Sequence, residues 1–352
     1  MRSTENIHIL DTTLRDGSYA VNFTFSLADV RLICSLLERV GISFIEIGHG
    51  VGLRASGLEH GTALHSDEEY LEAAKGVAKQ AKIGMFCIPG VAKLQDIDAM
   101  ADRGMDFIRI GTSVTEVALS EPYIKKAKER GMVVMANYMK SYASTPKEFA
   151  QQVVLSEKFG ADVVYVVDSS GGMFAQQIEA YTNEIRAVSS IELGFHGHNN
   201  LGLAVSNTLK AAELGYKFLD TSLQGLGRSS GNAPTEQTIA AMIKLGYELD
   251  INLLDIIAFG YEYVNHFVEN KGLTPLDTIS GYADFHTSYL QKIQRYAAKY
   301  SVNPLELIMD VCKIDKVNAP DELVEKVASQ LQVAEQQHYR YPYYKYHGKE
   351  QH

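Results

Sequence analysis

Eight short apolar runs alternate with amphipathic helical stretches, and this alternation limits the fold more than any other feature of the chain. The runs lie at residues 7–10, 44–47, 83–87, 107–110, 133–136, 163–167, 191–195 and 218–221. Each is almost continuously apolar and rich in Val, Ile and Phe, as strands buried on both faces must be. Between the first two, residues 27–40 place Leu27, Val30, Ile33, Leu36, Leu37 and Val40 largely on one helical face, with Asp29, Arg31, Glu38 and Arg39 as polar relief. Gly41 stands where that helix must end, and Gly104, Gly131, Gly160 and Gly215 take the same place before strands four, five, six and eight. Eight such β/α units predict a closed parallel (β/α)8 TIM barrel. A doubly wound open sheet is the alternative, but the G-x-G-x-x-G turn of a dinucleotide site is missing after the first strand.

The chain has 352 residues, against roughly 250 for a typical barrel, which leaves room for an appendage. The strand signal stops near residue 270. We therefore expect a catalytic barrel over 1–270 and a helical C-terminal region over 271–333, with helices at 288–300, 304–311 and 321–332. Residues 334–352 are polar and tyrosine-rich without apolar periodicity, and are expected to form a flexible tail or to lie on a partner surface.

The formal net charge of −10 offers no basic surplus for phosphates, so nucleic acid is not an expected partner. There is no run of about 20 apolar residues to span a membrane and no apolar leader at the N-terminus. Cys34, Cys87 and Cys312 are far apart and match neither a zinc nor a disulfide spacing. Cys34 and Cys87 sit in apolar runs and read as core residues. These features predict a reduced, cytoplasmic protein.

Barrel chemistry collects where strands end. Strand one runs into Asp11-Thr12-Thr13-Leu14-Arg15-Asp16-Gly17, and strand seven into His196-Gly197-His198-Asn199-Asn200. Only strand eight separates the two in a closed barrel, so both ends reach one mouth. His196 and His198 are two apart and share a face of an extended segment. With a carboxylate from Asp16 they form a facial set for a divalent cation, with positions left for substrate. The alternative for each histidine is a simple hydrogen bond in a polar mouth.

Arg15, at the end of a buried strand, and Glu46, inside the apolar run FIEIG, are both charges that are costly to bury alone. They sit on neighbouring strands and can pair, either as a plain ion pair or so that Glu46 turns the Arg15 donors toward a substrate oxyanion. At the end of strand six, Ser169 is a candidate donor to a substrate carboxylate, while Asp168 can bind substrate or cap the next helix. The loop Gly225–Pro234 (GLGRSSGNAP) either cradles an anion with its backbone N–H groups or simply closes the barrel.

Taken together, DTTLRDG at 11–17, Glu46, His196-Gly197-His198 and GLGRSSGNAP resemble the pyruvate-handling metallolyase barrels related to HMG-CoA lyase and isopropylmalate synthase. Within that superfamily the chain is similar to the 4-hydroxy-2-oxovalerate aldolase family. The likeness runs over roughly residues 5–330 and includes IEIGHGVGL around His49, Pro89-Gly90, YVVDSSG at 165–171 and SYLQKIQRYAAKY at 288–300. It implies a Mn²⁺ or Mg²⁺ site on Asp16, His196 and His198 that takes the carboxylate and keto oxygen of a 2-oxo acid. It further implies that Arg15 stabilises a pyruvate enolate, and that Ser169 and His49 contact substrate. A helical region of this kind often docks an acylating aldehyde dehydrogenase, and a homo-oligomer is expected.

Two positions depart from the family pattern. The aldolases carry His, the base, where this chain has Tyr19, and Tyr at the position aligned to His286. The pair is exchanged, leaving Tyr19 or His286 as the base. The expected activity is a class II aldolase acting on a 4-hydroxy-2-oxo acid, with pyruvate enolate and an aldehyde as its halves. Its rivals are a Claisen-type acyl transferase, joining an acyl-CoA to a 2-oxo acid, and a non-catalytic barrel subunit.

Overall fold

The structure, a computed structural model, describes residues 7–57, 60–268 and 274–333. Eight parallel strands close into a barrel in sequence order: β1 (His8–Asp11), β2 (Phe44–Ile47), β3 (Lys82–Cys87), β4 (Phe107–Ser113), β5 (Val133–Met139), β6 (Val163–Asp168), β7 (Glu192–Gly197) and β8 (Phe218–Thr221). β8 pairs with both β7 and β1, so the ends of strands one and seven flank a single strand.

Eight helices cover the barrel: α1 (Leu27–Arg39), α2 (Asp67–Val77), α3 (Leu94–Asp102), α4 (Glu121–Glu129), α5 (Pro146–Phe159), α6 (Ala175–Arg186), α7 (Ala204–Glu213) and α8 (Thr235–Lys244). Their starts are encoded locally. Ser26 with Asp29, Ser66 with Glu69, and Thr145 with Glu148 form reciprocal capping boxes at α1, α2 and α5, each such cap contributing about 1 kcal/mol. Cys34 and Cys87 are fully buried core residues.

Strands β4, β5, β6 and β7 run beyond their apolar runs, into Gly111-Thr112-Ser113, Asn137-Tyr138-Met139, Asp168 and His196-Gly197. Apolar patterning marks only the part of a strand inside the core, and the polar continuation is the mouth. The barrel interior is layered accordingly. Leu10, Phe44, Phe107, Met135 and Phe218 fill one end. Two residues farther along their strands, Glu46, Arg109 and Asp220 form a layer of buried charge beneath the mouth.

After α8 the chain forms α9 (Leu253–Phe259), a π turn at Gly260–Val264, and α10 (Pro275–Ala283), then α11 (Leu290–Tyr300), α12 (Pro304–Ile314) and α13 (Asp321–Gln330). The sequence pattern missed α9 and α10, both short. It also started α11 early, because residues Thr287–Tyr289 form a 3-10 turn. The C-terminal helices have a core of their own, including Phe285, Leu290, Ile293, Leu307, Ile308 and Val311. The expected tail at 334–352 lies outside the described residues. Among the described residues, no helix is long and apolar enough to cross a membrane.

Candidate metal centre and active site

The chain after β1 is turned by Asp11. Its carboxylate accepts the Thr13 backbone N–H at 2.9 Å and the Thr13 hydroxyl at 3.0 Å. Burial pushes the Asp11 pKa up to about 7. The turn delivers Arg15 and then a 3-10 segment, Asp16–Tyr19, into the mouth. β7 delivers His196, and His198 follows just past the strand end.

Asp16, His196 and His198 are buried, and each presents one ligand atom within 4.8 Å of the others. Their outer contacts suit a cation. His196 Nδ1 lies 2.8 Å from Asp220 Oδ2, and His198 Nδ1 lies 3.3 Å from the Gly231 carbonyl. A carbonyl can only accept, so His198 carries its proton on Nδ1 and a lone pair on Nε2. His196 has the same polarity against an ionised Asp220. Burial, then Arg228, lowers the His198 pKa well below the usual histidine value, which keeps the imidazole neutral as a metal ligand must be.

Asp16 is held from both sides. Its Oδ1 accepts Arg15 Nη1 at 2.7 Å, and its Oδ2 accepts Asn232 Nδ2 at 2.9 Å and the Arg228 backbone N–H at 3.1 Å. Burial alone would raise the Asp16 pKa. Arg15, His198, His196 and Arg228 outweigh it and hold the carboxyl well below the usual carboxylate range. Gly227 is required here, since a Cβ at that position would stand 2.8 Å from Asp16 Oδ2 and 2.5 Å from Asn232 Nδ2. The GLGRSSGNAP loop thus packs its glycines and Asn232 against the ligand set. A carboxylate and two imidazoles with oriented rings fit a divalent cation.

Arg15 donates Nε to Glu46 Oε2 at 2.7 Å and lies over the Phe86 ring at 4.9 Å. Glu46 is fully buried. A cavity of about 420 Å³ opens above, lined by Arg15, Asp16, Tyr19, Ser169, His196, His198, Arg228 and His286 among others. β1, β6, β7 and the C-terminal region therefore converge on one space, and Glu46 supports it from beneath.

The Tyr19 ring packs edge-on to Phe23 with centroids 5.3 Å apart and lies against Gly50, where a Cβ would stand 2.4 Å from the ring. Ser169 Oγ accepts the Lys140 backbone N–H at 2.9 Å, which leaves its hydroxyl proton to donate. His286 is buried at the start of the 3-10 turn, with Nδ1 2.7 Å from Ser288 Oγ. Burial, then Arg228, Lys140 and His198, pull its pKa well below the usual histidine value.

His49 is not among the residues that line this cavity. Its ring stacks on Phe23 at 3.9 Å, Val51 N–H donates to Nδ1 at 3.2 Å, and Nε2 lies 3.2 Å from the Gly61 carbonyl. Both ring nitrogens have protein partners, and burial takes the pKa down to about 4. Asp168 accepts the Gly172 and Met173 backbone N–H groups, both at 3.0 Å, so its carboxylate shapes the turn after β6.

Sequence reasoning passed over Arg109, Asp220, Asn232, Arg228 and Lys140. Arg109 in FIRIG and Asp220 in FLDT carry the same signal that revealed Glu46, a charge inside an apolar run. Asn232 and Arg228 were hidden in a loop read mainly for its glycines. Lys140, fully buried at the end of β5, donates Nζ to Tyr289 Oη at 2.6 Å and to the Val317 carbonyl at 2.7 Å, tying the mouth to the C-terminal helices.

The fold recurs in solved structures of low identity. The carboxyl transferase domain of Rhizobium etli pyruvate carboxylase superposes with a TM-score of 0.75 at 15% identity, covering 93% of this chain and 61% of that one. The HMG-CoA lyase of Brucella melitensis superposes with a TM-score of 0.64 at 19% identity, covering 73% and 96%. In sequence, the 4-hydroxy-2-oxovalerate aldolase of Carboxydothermus hydrogenoformans is 35% identical over 334 residues, 95% of this chain and 99% of the relative. 4-Hydroxy-2-oxovalerate aldolase 2 of Nocardia farcinica is 35% identical over 329 residues, 93% and 95%. The HMGL-like family model matches residues 6–261, and the chain belongs to the HMGL-like family, in the group whose curated members are named 4-hydroxy-2-oxovalerate aldolase.

Proposed function

We propose that the protein is a divalent-metal-dependent carbon–carbon lyase that cleaves or forms a 4-hydroxy-2-oxo acid, with pyruvate and an aldehyde as the two halves. The observation that carries this reading is the joint placement of Asp16, His196 and His198 beside Arg15 in one buried mouth. Asp16, His196 and His198 would hold Mn²⁺ or Mg²⁺, which would supply Lewis-acid polarisation of the 2-oxo group when bound.

The chain's own residues supply the rest. Ser169 donates its hydroxyl to the substrate carboxylate. His286 takes the proton of the 4-hydroxyl, with Tyr19, which lines the same cavity, as the orienting phenol. Ser288 orients the ring for this step: its backbone N–H donates to His286 Nδ1 at 3.4 Å and its Oγ lies 2.7 Å from the same nitrogen. The C3–C4 bond then breaks, the aldehyde departs, and the electron pair moves onto the 2-oxo oxygen as an enolate. Arg15, steadied by Glu46, donates to that developing oxyanion, and protonation at C3 gives pyruvate.

A panel of 4-hydroxy-2-oxo acids with Mn²⁺, followed by pyruvate release, tests the reading. Release that depends on Mn²⁺ and is lost in Asp16→Asn is the expected result, and no release from any member sinks it. The acylating aldehyde dehydrogenase partner and the homo-oligomer belong to the same reading. The exposed side chains of Leu254, Ile257 and Tyr261 supply apolar surface for such a contact.

A further inference from the structure

Six buried ionisable side chains form one continuous series around the barrel interior. It begins at Asp16 and passes to Arg15 (Oδ1 to Nη1, 2.7 Å), then to Glu46 (Nε to Oε2, 2.7 Å). Glu46 presents its other oxygen, Oε1, to Arg109 Nε at 3.1 Å. Arg109 Nη1 donates to Asp220 Oδ2, and that same oxygen lies 2.8 Å from His196 Nδ1. Both ends of the series, Asp16 and His196, belong to the ligand trio.

Arg109 is the centre of this series. It is fully buried, does not line the cavity, and lies with its guanidinium 4.5 Å over the Tyr165 ring. Its planar fork reaches Glu46 with one edge and Asp220 with another, a geometry a point-charge ammonium cannot copy. Asp220 sets the direction of the His196 ring, and Glu46 sets the direction of Arg15.

We propose that Arg109 is a positioning residue for the reaction, a single guanidinium that fixes the metal ligand His196 and the oxyanion donor Arg15 relative to each other. The proposal rests on the metal-dependent reading above. It implies that a residue touching neither substrate nor metal controls both metal affinity and turnover. The two effects part company when one arm is removed. With Arg15 gone, Arg109 has no oxyanion donor left to steady, but it still holds Asp220 against His196.

The test uses the full chain and Mn²⁺ itself. Titration calorimetry measures Mn²⁺ binding to the parent, Asp16→Asn, Arg109→Lys and Arg109→Met. Turnover at saturating Mn²⁺ is measured for Arg109→Met in the parent and in the Arg15→Ala background. Loss of the outer partner of a metal-bound histidine weakens metal binding by roughly 10–100-fold, and both Arg109 variants are expected to show this. The kcat loss from Arg109→Met should be large in the parent and shrink to within about twofold with Arg15→Ala, while the Mn²⁺ defect persists. A residue that merely packs would cost the same in both backgrounds.

Parent-like Mn²⁺ affinity in folded Arg109→Lys and Arg109→Met overturns the proposal, as does an equal kcat loss in the two backgrounds. Should the Arg109 variants fail to fold by circular dichroism, Asp220→Asn decides. A tenfold or greater loss of Mn²⁺ affinity supports the relay, and parent-like affinity overturns it. A parent that binds no Mn²⁺ overturns both this proposal and the reading beneath it. A parent whose binding vanishes in Asp16→Asn but is untouched by every Arg109 and Asp220 variant overturns the proposal alone.

Discussion

Arg15 donates Nη1 to Asp16 Oδ1 at 2.7 Å, so the proposed oxyanion donor and a proposed metal ligand are adjacent in sequence and bonded to each other. Removing Arg15 takes away an oxyanion donor and also strips a strong hydrogen bond from the ligand carboxylate. Arg15→Ala is therefore expected to lower kcat by roughly 10²–10³, the usual cost of one oxyanion donor, and to weaken Mn²⁺ binding as well. Arg15→Lys should recover only part of either effect, because an ammonium cannot reach Asp16 and Glu46 as a fork. Steady-state kinetics beside a Mn²⁺ titration checks both, and a parent-like kcat in Arg15→Ala removes the residue from the mechanism.

Metal removal gives a second expectation. EDTA should abolish pyruvate release, and added Mn²⁺ should restore it. His198→Ala should not be restored at the Mn²⁺ level that saturates the parent, because one of three ligands is missing. Full activity after exhaustive chelation contradicts the assignment of Asp16, His196 and His198.

Most of the fold was legible because burial on both faces forces strands to be apolar, and eight such runs with helices between them close in only one common way. The C-terminal ends of β4 to β7 were not legible, since Thr112, Asn137, Asp168 and His196 are polar and break the apolar run, Asn137 and His196 as part of the cavity lining. The candidate ligands were read from the two-residue spacing of His196 and His198 and from the position of Asp16 at a nearby strand end. Arg109 and Asp220 were not read, although each is a charge inside an apolar strand, because their partners lie on strands distant in sequence. His49 lies off the lining of the cavity. Its ring stacks on Phe23 and its Nε2 lies 3.2 Å from the Gly61 carbonyl, contacts between residues far enough apart in the chain that the sequence does not display them.

The contact between the mouth and the C-terminal helices gives a third expectation. Lys140 Nζ reaches Tyr289 Oη and the Val317 carbonyl from a fully buried position, with its charge over the Tyr289 ring at 4.7 Å. Removing the ammonium takes a donor from a buried phenol and a carbonyl, which costs about 1–3 kcal/mol for a group left unsatisfied. Lys140→Met, which keeps most of the volume, should lower the melting temperature clearly. Tyr289→Phe should cost less, because Lys140 keeps the Val317 carbonyl. Equal melting temperatures for parent and Lys140→Met would show that this contact does not anchor the helices.

The exchanged pair carries the last expectation. Tyr19 and His286 line the same cavity as the candidate ligands. Their chemistry separates them. A phenol with an ordinary pKa near ~10 is a poor proton acceptor at neutral pH, whereas an imidazole near ~6.5 is mostly neutral there. Burial, then Arg228 and Lys140, push the His286 pKa lower still, so it is deprotonated throughout the neutral range. The sign follows directly. Activity that needs neutral His286 is fully present at neutral pH and is lost as pH falls through a pKa lying below 6.5. The acidic limb of kcat/KM should therefore sit below the ordinary histidine range and not at neutrality. His286→Phe should lower kcat by roughly 10²–10⁴, the range for loss of a general base, and should erase that limb. Tyr19→Phe should cost much less and keep it, because Tyr19 only orients. A crippled Tyr19→Phe beside a nearly normal His286→Phe would assign the base role to Tyr19 in the place where the aldolases carry histidine.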